Sequence, residues 1–575
     1  MTSPTWRQVN ATFPNWKRAE TDALAGLAPL LSAAEDKGTL NAWFFIRKRP
    51  CWRVRYLTTP GAHDPIGKSL DALLAEGTIT AWTEIIYEPE THTFGGTEAM
   101  ASAHRFFHRD SRGIINSLWN GAGGHHRETS LMLCSLMMRA RRARLDLPED
   151  PVTHSPALKA TKAVADLLAT PETAPVSPDM TTTHRQHLAY GPTGIALLHI
   201  ERAACGLGPW RRAHDWLVVA TRLPFISGPD SHPYYGAPAL AYVVACAAAH
   251  RTGLYQGPLV SLDAQITADA GRRLDAAHRR LDAGLLPQLA EFDTIRGLSG
   301  YGAYLLRRDP DGPALRAVLD YCVRLTEPIT DRDDVLPGWW TASGSSGHPD
   351  ETFPGGHANT GLAHGIGGVL ALLALSARQG IRVSGQHDAV RTILAWLDRW
   401  QEESGHGPAW PYWITRAELR DAQPAPYVPR RPSWCYGTAG VARAQQLAAL
   451  ALNDSRRQIE AENALVGALT DTAQLKATTD HGLCYGTAGL AHIASRMSDG
   501  AHPSTAGQLR ALVPALHANV CPAGTDPANF ASALLHAPDA GPGFLNGAAG
   551  IALALHSPAT AQTPRSAWDA CLLIA

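Results

Sequence analysis

The segment HGLCYGTAGLAH, residues 481–492, nearly repeats an earlier segment, SWCYGTAGVARA, residues 433–444. Both place a cysteine and a tyrosine directly before Gly-Thr-Ala-Gly, and both continue into an apolar, alanine-rich stretch. Alanine-rich stretches form helices readily, and glycines at a helix start let the backbone turn and let neighbouring helices pack closely. Each segment therefore predicts the start of a tightly packed helix.

Related segments recur along the chain, roughly 45 to 75 residues apart, which is the signature of a repeat architecture. Besides the two copies at Cys435 and Cys484, they begin at Tyr190, Tyr235, Gly297, Gly361 and Leu545. Helices that are apolar nearly all round suit an inner ring, and intervening amphipathic segments such as AVRTILAWLDRWQEE suit an outer ring. We expect a mainly α fold in which seven helical hairpins close into an α/α toroid. An open solenoid is the alternative, which periodicity alone does not exclude.

The first 150 residues differ from the repeats. AWFFIRKRPCWRVRYL at 42–57 and ITAWTEIIYEPETHTFGG at 79–96 have the β-branched, aromatic and alternating character of strands, and helical stretches surround them. This pattern predicts a smaller α+β domain at 1–150 and a toroid at 151–575. Proline and polar residues cluster in LPEDPVTHSPA, residues 147–157, where we place the boundary.

Composition limits the function classes. The 575 residues are 45% hydrophobic and 18% charged with a formal net charge of −1, which offers no electrostatic case for nucleic acid or an anionic membrane. No apolar run reaches the roughly 18 residues that span a bilayer, and the N-terminus lacks a signal-peptide pattern. Nine scattered cysteines indicate free thiols in a reducing compartment. We therefore expect a cytoplasmic protein with no membrane span and no nucleic-acid partner.

Chemically active side chains cluster at the repeat starts. Cys435 and Cys484 lie at two of them, His364 lies at a third, Asp293 lies just ahead of another, and Arg431 lies one helical turn before Cys435. Taken alone, a cysteine in an alanine-rich helix is usually a small buried apolar residue. Because all these groups lie at the starts of repeats, we expect them on one rim, where two thiols are half of a zinc site.

Residues from about 160 to 575 resemble the LanC family of lanthipeptide cyclases. The resemblance rests on several motifs in order: FDTIRGLSG, LPGWW, NTGLAHGIGG, RRPSWCYGTAG, GLCYGTAG, GFLNGAAGIALAL and SAWDACLLI. It implies a seven-fold α/α toroid with zinc in its central cavity. The implied reaction adds a peptide cysteine thiol to dehydroalanine or dehydrobutyrine, which gives a thioether ring.

The resemblance also implies roles for these residues. Cys435 and Cys484 become zinc ligands and His364 the proton donor to the enolate. Asp293 is then its acid–base or orienting partner, and Arg431 supports the enolate or thiol deprotonation. Tyr436, which follows the first cysteine, is a further catalytic candidate.

One departure concerns the third zinc ligand. The family normally has a histidine after its second cysteine, and this chain has Tyr485. His481 can supply the missing ligand, Tyr485 can ligate as phenolate, or the site is weakened and the toroid kept for binding. A phenol is a poor zinc ligand, because its proton leaves only near pH 10. We take His481 as the working third ligand, with zinc as the expected cofactor.

The N-terminal region has its own resemblance. WFFIRKRPCWRVRY, IIYEPETHTFGGTEAM and FFHRDSR are similar to the thiopeptide-type bacteriocin biosynthesis domain, which is related to the glutamate-eliminating part of LanB dehydratases. The similarity implies that Arg47, Arg53 and Arg55 bind a glutamate esterified to the substrate, and arginine forks suit a carboxylate. Here the turn is shortened to KRP and Cys51 replaces the usual histidine, so the domain either eliminates glutamate or only binds the precursor peptide.

The combined hypothesis is an enzyme that matures a ribosomally made peptide of lanthipeptide or thiopeptide type. It is a lanthionine cyclase, with glutamate elimination as a second activity in the N-terminal domain. Its partners are then a precursor peptide with a leader and a separate glutamylating dehydratase component. The alternative is a non-catalytic scaffold that binds the precursor peptide and has lost the full zinc site.

Overall fold

The structure is a computed structural model that describes most of the chain. The described residues are 6–59, 66–85, 87, 89, 97–119, 156–559 and 563–575, apart from gaps at 173, 175–184, 223–224, 252–253, 345–347, 349 and 538–540. The chain divides into two compact units, residues 1–149 and 150–575. Most of the predicted boundary segment, up to residue 155, lies outside the described residues.

The N-terminal unit is built on a four-stranded antiparallel sheet in the order β2-β3-β1-β4. The strands are β1 (Trp6–Thr12), β2 (Leu40–Lys48), β3 (Cys51–Thr58) and β4 (Ala81–Ile85), and the helices are Ala19–Ala25, Leu27–Asp36, Ile66–Ala75 and Thr97–Trp119. Alternate residues of β1 and β3, such as Val9 and Val54, are buried on one face with the first two helices. The predicted α+β character of this region agrees with these elements.

The second unit contains the predicted helical hairpins. In its described part the inner helices are Pro192–Ala204, Ala237–His250, Leu298–Arg308, Ile366–Arg378, Thr438–Leu452, Thr487–Asp499 and Ala548–Ala559. The outer helices are Trp210–Thr221, Gln256–Asp282, Pro313–Arg324, Gln386–Arg399, Ser455–Thr470 and Ala506–Val520, and Pro156–Leu167 packs on the last inner helix as the seventh. Shorter helices are Leu289–Phe292, Arg416–Asp421, Thr472–Lys476 and Pro527–His536, and Gly228–Asp230 and Ala570–Leu572 are 3₁₀ turns. Three two-stranded ribbons pair Ile329–Asp331 with Asp334–Leu336, His357–Asn359 with Trp413–Thr415, and Glu402–Glu403 with Pro408–Ala409.

The ring is closed, because hydrogen bonds join the loop before each inner helix to the next loop. One side-chain bond runs from Nδ1 of His232 to the carbonyl of Ile295, at 3.1 Å. The other bonds each run from a backbone N–H to a backbone carbonyl. The donor and acceptor residues are Leu188 and Tyr234 (2.8 Å), Thr294 and Ala363 (3.0 Å), Ala363 and Cys435 (3.3 Å), Cys435 and Cys484 (3.4 Å), Cys484 and Leu545 (2.9 Å), and Phe544 and Ala189 (2.7 Å). The last bond returns to the first repeat, so the predicted toroid is confirmed and the open solenoid is wrong.

A glycine inside the first turn of the inner helices makes this packing fit. A Cβ at Gly440, Gly489 or Gly550 would collide with the carbonyl oxygen of the residue six positions earlier. The loop thus folds back onto the helix start at a distance that only glycine tolerates. This contact explains why the repeated segment keeps its second glycine.

The C-terminal segment runs through the middle of the ring. Its carbonyl groups accept hydrogen bonds from side chains of several inner helices and their loops, including Tyr234 to Cys571 (3.0 Å) and Trp434 to Leu572 (3.0 Å). Asp569, fully buried, binds both His492 (2.8 Å) and Arg496 (2.7 Å) of the sixth inner helix. Bonds to so many repeats place this segment as a plug on the ring axis.

Candidate functional site

The repeat register places a ring of side chains at the mouth of the toroid. Each inner helix is preceded by a glycine, and the residue just before that glycine occupies the same place in all seven repeats. The seven residues at this place are Tyr190, Tyr235, Arg296, His364, Tyr436, Tyr485 and Asn546. The residue before them is a cysteine in the fifth and sixth repeats, Cys435 and Cys484. The site is therefore assembled from equivalent positions of different repeats.

The two cysteines are buried side by side. Besides the backbone bond between them, the thiol of Cys484 hydrogen-bonds to the sulfur of Cys435, and the Ser433 hydroxyl lies 3.5 Å from that sulfur. Burial alone would raise the pKa of Cys435, but these two hydrogen bonds and the positive charges of His364 and Arg431 outweigh it and lower that pKa. The hydrogen bond to Cys435, followed by burial, raises the pKa of Cys484 well above its usual range. Of the two thiols, Cys435 is therefore the one that loses its proton more readily.

His364 and Asp293 form a hydrogen-bonded pair on the same rim. Nδ1 of His364 lies 2.7 Å from Oδ2 of Asp293, and the other carboxylate oxygen accepts the backbone N–H groups of Arg296 (2.6 Å) and Gly297 (2.8 Å). Burial lowers the pKa of His364, but the hydrogen bond and charge of Asp293, together with the charge of Cys435, outweigh it and raise that pKa. The histidine is thus held in one orientation and kept protonated to higher pH.

Arg431 and the two tyrosines complete the rim. The Arg431 guanidinium lies over the Tyr485 ring, 4.6 Å from its centre, and the Arg431 carbonyl accepts the Tyr412 hydroxyl at 2.8 Å. The Tyr436 ring packs against His364, with ring centres 5.9 Å apart. Burial, followed by the charge of Cys435, raises the pKa of the Tyr436 phenol. The structure therefore brings together Cys435, Cys484, His364, Asp293, Arg431 and Tyr436, as the sequence predicted.

His481 is not brought to this group. Its side chain is exposed, and among the described residues no third histidine, cysteine or carboxylate atom forms a cluster with both sulfurs in which all atoms lie within 4.8 Å. Tyr485 follows Cys484 directly in the chain, and its ring lies under the Arg431 guanidinium. The charge of Cys484, followed by burial, raises the pKa of this phenol.

A three-residue cluster with the geometry for a metal does occur elsewhere in the described part, formed by Glu201, Cys205 and His556. Both oxygens of its carboxylate are already engaged, by the backbone N–H of Arg565 (2.9 Å) and by the N–H and hydroxyl of Ser566 (2.8 and 2.6 Å). Burial, followed by Glu201, raises the pKa of Cys205 to about 12. This group therefore anchors the C-terminal segment and keeps its thiol protonated.

Two residues of the site escaped sequence reasoning. Ser433 supports the Cys435 sulfur, and Asn359 holds the loop before His364 by accepting the N–H of Gly361 at 2.9 Å. Ser433 stands in its repeat where Asp293 stands in the third repeat, two positions before the cysteine place. An alignment of the seven segments by their glycines would have found it.

The three arginines of the N-terminal unit do not converge. In the hairpin register Arg47 pairs with Trp52, so it lies on the opposite face of the sheet from Arg53 and Arg55. Arg47 forms an ion pair with Glu20. Arg55 donates to Gln8 at 2.7 Å and lies 4.3 Å from the centre of the Tyr87 ring.

A histidine missed by sequence reasoning shares the face of Arg55. Nε2 of His104 lies 2.9 Å from the Tyr87 hydroxyl. Burial, followed by the charge of Arg55, lowers the pKa of His104 to about 4. Near neutral pH this imidazole is therefore unprotonated and can accept a proton.

Comparison with known proteins decides the family. Residues 183–573 match the family described as lanthionine synthetase C-like protein. The chain belongs to the LanC-like family. Residues 6–199 match the C-terminal part of lantibiotic biosynthesis dehydratases, so both predicted resemblances are confirmed.

Individual relatives agree with this membership. The chain is 27% identical over 212 residues to the nisin biosynthesis protein NisC of Lactococcus lactis subsp. lactis, a match that covers 36% of this chain and spans about half, 49%, of that relative. The solved structure of a nisin cyclase superposes with a TM-score of 0.59 at 20% identity, over 72% of this chain and 97% of that one. This likeness shows a shared fold. No helix in the described part of the chain has the length and apolar character to cross a membrane.

LanC-like proteins generally bind zinc. Two adjacent buried cysteines offer the soft thiolate donors that zinc prefers. Cys435 and Cys484 therefore suit two of the ligand positions around one zinc ion.

Proposed function

We propose that the toroidal unit forms thioether rings by adding a peptide cysteine thiol to dehydroalanine or dehydrobutyrine in a ribosomally made precursor. The observation that supports it is the single rim that carries both the Cys435–Cys484 pair and the His364–Asp293 pair. Addition of a thiolate to the β-carbon needs a deprotonated sulfur and a proton for the α-carbon. This rim carries a group suited to each need.

The chain's own residues divide these tasks. Zinc held by Cys435 and Cys484 would supply the positive charge that favours a substrate thiolate. Protonated His364 donates its proton to the α-carbon of the enolate, and Asp293 holds Nδ1 so that Nε2 is the nitrogen left to donate. Arg431 contributes positive charge near the developing enolate, and Tyr436 packs beside His364 and limits the directions from which substrate enters.

Ring formation on a synthetic peptide with one cysteine and one dehydroalanine tests this function. We expect the wild-type protein to remove the free thiol, measured by alkylation and mass spectrometry, faster than buffer does. His364→Asn should slow ring closure by about 10²- to 10⁴-fold, whereas His536→Asn, on an exposed outer position, should not. Equal rates of ring closure for the wild-type protein and His364→Asn would show that His364 is not the proton donor.

We also propose that the N-terminal unit acts on the same precursor, through the face that carries Arg53 and Arg55. Nε of Arg53 is buried without a hydrogen-bond partner among the described residues, and Arg55 lies beside a neutral His104. A guanidinium pair suits the carboxylate of an esterified glutamate, and His104 is placed to accept a proton during elimination. A separate protein would then add the glutamate, and a cytoplasmic location stays a prediction.

The faces of the sheet make this second proposal testable. Glutamate release from a glutamylated model peptide should fall in Arg55→Gln and persist in Arg47→Gln, because Arg47 lies on the opposite face, paired with Glu20. No release by the wild-type protein, with peptide binding retained and lost in Arg55→Gln, would limit the unit to binding.

A further inference from the structure

We propose that a cavity between the sixth and seventh repeats binds a small organic anion that also carries a hydrogen-bond donor, of the chemical class of an acidic amino acid. The cavity has a volume of about 1030 Å³, at the upper end of the range of about 300–1,000 Å³ for small-molecule sites. Its walls come from the inner helices Thr487–Asp499 and Ala548–Ala559, the outer helices Ala506–Val520 and Pro156–Leu167, and residues 563–565.

This cavity is separate from the rim that carries the two cysteines. The inner helix Thr487–Asp499 begins at the rim, and its residues that line the cavity run from His492 to Asp499, in its second half. At a rise of 1.5 Å per residue they lie roughly 8 to 18 Å along the helix from its start. The inference therefore depends neither on zinc nor on ring formation.

His492 brings a buried polar atom without a partner to the cavity wall. It is 1% exposed, and its Nε2 lies 2.8 Å from Oδ2 of Asp569. Its other ring nitrogen, Nδ1, is buried with no hydrogen-bond partner among the described residues. Because Nε2 faces a carboxylate and carries the proton, Nδ1 of the neutral ring is an acceptor. A ligand with an N–H or O–H group would satisfy this atom, whose desolvation is otherwise uncompensated.

His517, on the outer helix, adds a second open ring nitrogen to the same cavity. Its Nε2 is also buried without a hydrogen-bond partner in the described part of the chain. Burial, followed by the charge of His492, lowers the pKa of His517 to about 4. Near neutral pH this imidazole therefore contributes a hydrogen-bonding atom to the wall and no charge.

The charged residues of the wall favour an anion. Three arginines, Arg496, Arg510 and Arg565, line the cavity, together with one carboxylate, Asp499, among the described residues. Arg496 is already paired with Asp569 at 2.7 Å. Arg510 is exposed and forms no ion pair or hydrogen bond with another described residue. Its guanidinium is thus available for a carboxylate, which matches the geometry of an arginine fork.

The rest of the wall suits a short carbon chain. Its apolar members include Ala157, Val513, Pro514 and Ala518. An acidic amino acid offers each part of the wall a matching group, because its carboxylates suit Arg510, its ammonium group can donate to Nδ1 of His492, and its methylene groups suit the apolar side. Inorganic phosphate lacks the carbon chain and fills little of such a volume.

Isothermal titration calorimetry on the full chain tests the proposal with L-aspartate and succinate. The two probes share a four-carbon chain with two carboxylates, and succinate lacks the amino group. We expect one L-aspartate to bind per chain, and succinate to bind at least about tenfold more weakly, because it cannot donate to Nδ1 of His492. Aspartate is used because the N-terminal unit is proposed to bind glutamate.

Variants locate the binding in this cavity. Arg510→Gln should weaken L-aspartate binding by at least about tenfold, and His517→Phe by about two- to tenfold. His517→Phe removes a buried nitrogen that has no partner in the described part, so the fold should tolerate it. The matched control is Arg279→Gln, an exposed arginine on the outer helix Gln256–Asp282, which should bind as the wild type does.

Three results would overturn the proposal. The first is the absence of L-aspartate binding by the wild-type protein at millimolar concentrations, and the second is equal affinity in the wild type and Arg510→Gln. The third is a probe order in which succinate or inorganic phosphate binds as tightly as L-aspartate, since the ligand class would then be wrong. Ring closure by the same protein stays a separate measurement.

Discussion

Nδ1 of His364 and Oδ2 of Asp293 lie 2.7 Å apart, although 71 residues separate them in the chain. The fourth and third repeats supply one residue each, and the backbone bond from Thr294 to Ala363 holds the two loops together. Asp293 is 1% exposed, so little water reaches its carboxylate to compete with the imidazole for hydrogen bonds. The pair is thus fixed by the ring of repeats.

Asp293→Asn should slow ring closure by about 10²- to 10⁴-fold, because the imidazole loses its orienting anion. Asparagine retains an oxygen for the backbone N–H groups of Arg296 and Gly297, so the loop should keep its fold. The control is Asp320→Asn, an exposed position on an outer helix. Equal activity of Asp293→Asn and wild type would show that the pair has no catalytic part.

The pH profile of the same variants gives a further prediction. The pKa of His364 is raised in the folded protein, so the proton-donating form persists as pH rises until the pH passes that raised value. We expect activity to fall on the alkaline side, and we expect this limb to move to lower pH in Asp293→Asn. If the alkaline fall in activity occurs at the same pH in both proteins, a group other than His364 controls it.

Asp569→Asn should destabilise the toroid by about 3–5 kcal/mol, because it leaves Arg496 and His492 without their buried anion. Asp499→Asn is the matched control, since Asp499 meets the same arginine at 3.9 Å but is half exposed, and should cost less than about 1 kcal/mol. Urea unfolding followed by tryptophan fluorescence measures both. Similar midpoints for the two variants would contradict the plug as a stabilising element.

Acid should weaken this contribution. Burial raises the pKa of Asp569, but the charge of Arg496 and the hydrogen bond and charge of His492 outweigh it and lower that pKa. The stabilisation is therefore complete above the unfolded value of about 3.9 and is lost as pH falls through the lower folded value. The difference in midpoint between wild type and Asp569→Asn should shrink below about pH 4.

Two glycine-to-alanine changes should have opposite signs. A Cβ at Gly489 would collide with the Leu483 carbonyl, so Gly489→Ala should destabilise the toroid by about 1–3 kcal/mol. Nothing lies within 4 Å of a Cβ at Gly271, inside the outer helix Gln256–Asp282, so Gly271→Ala should stabilise it by about 0.5–1 kcal/mol. Thermal unfolding midpoints measure both effects. Equal changes in the two variants would contradict the close contact between loop carbonyl and helix at the repeat starts.

Sequence reasoning recovered the toroid and most of the rim because both depend on periodicity. Once Cys435, Cys484 and His364 are known to lie at adjacent places of the repeat, closure of the ring brings them together. The missing ligand could not be settled this way, because His481 differs from that position by a few residues and its exposure depends on how the loop turns. The repeat pattern does not predict the conformation of such a loop.

The N-terminal arginines show a different limit. Strand alternation alone suggests that residues separated by an even number share a face, which would group Arg47 with Arg53 and Arg55. The two-residue turn at residues 49–50 pairs Lys48 with Cys51 and reverses the parity between the strands. The shortened KRP turn noted in the sequence was therefore the decisive feature, and its effect follows only once the register is known.

The most direct test of the account is ring closure on the synthetic dehydroalanine peptide by the wild-type protein, Cys435→Ala and Cys322→Ala. Cys322 is also a buried free thiol, but it lies in an outer helix away from the rim. We predict thioether formation by wild type and Cys322→Ala, with a loss of at least about 100-fold in Cys435→Ala. Equal rates for all three proteins, no faster than buffer, would contradict the cyclase and favour a scaffold that only binds the precursor.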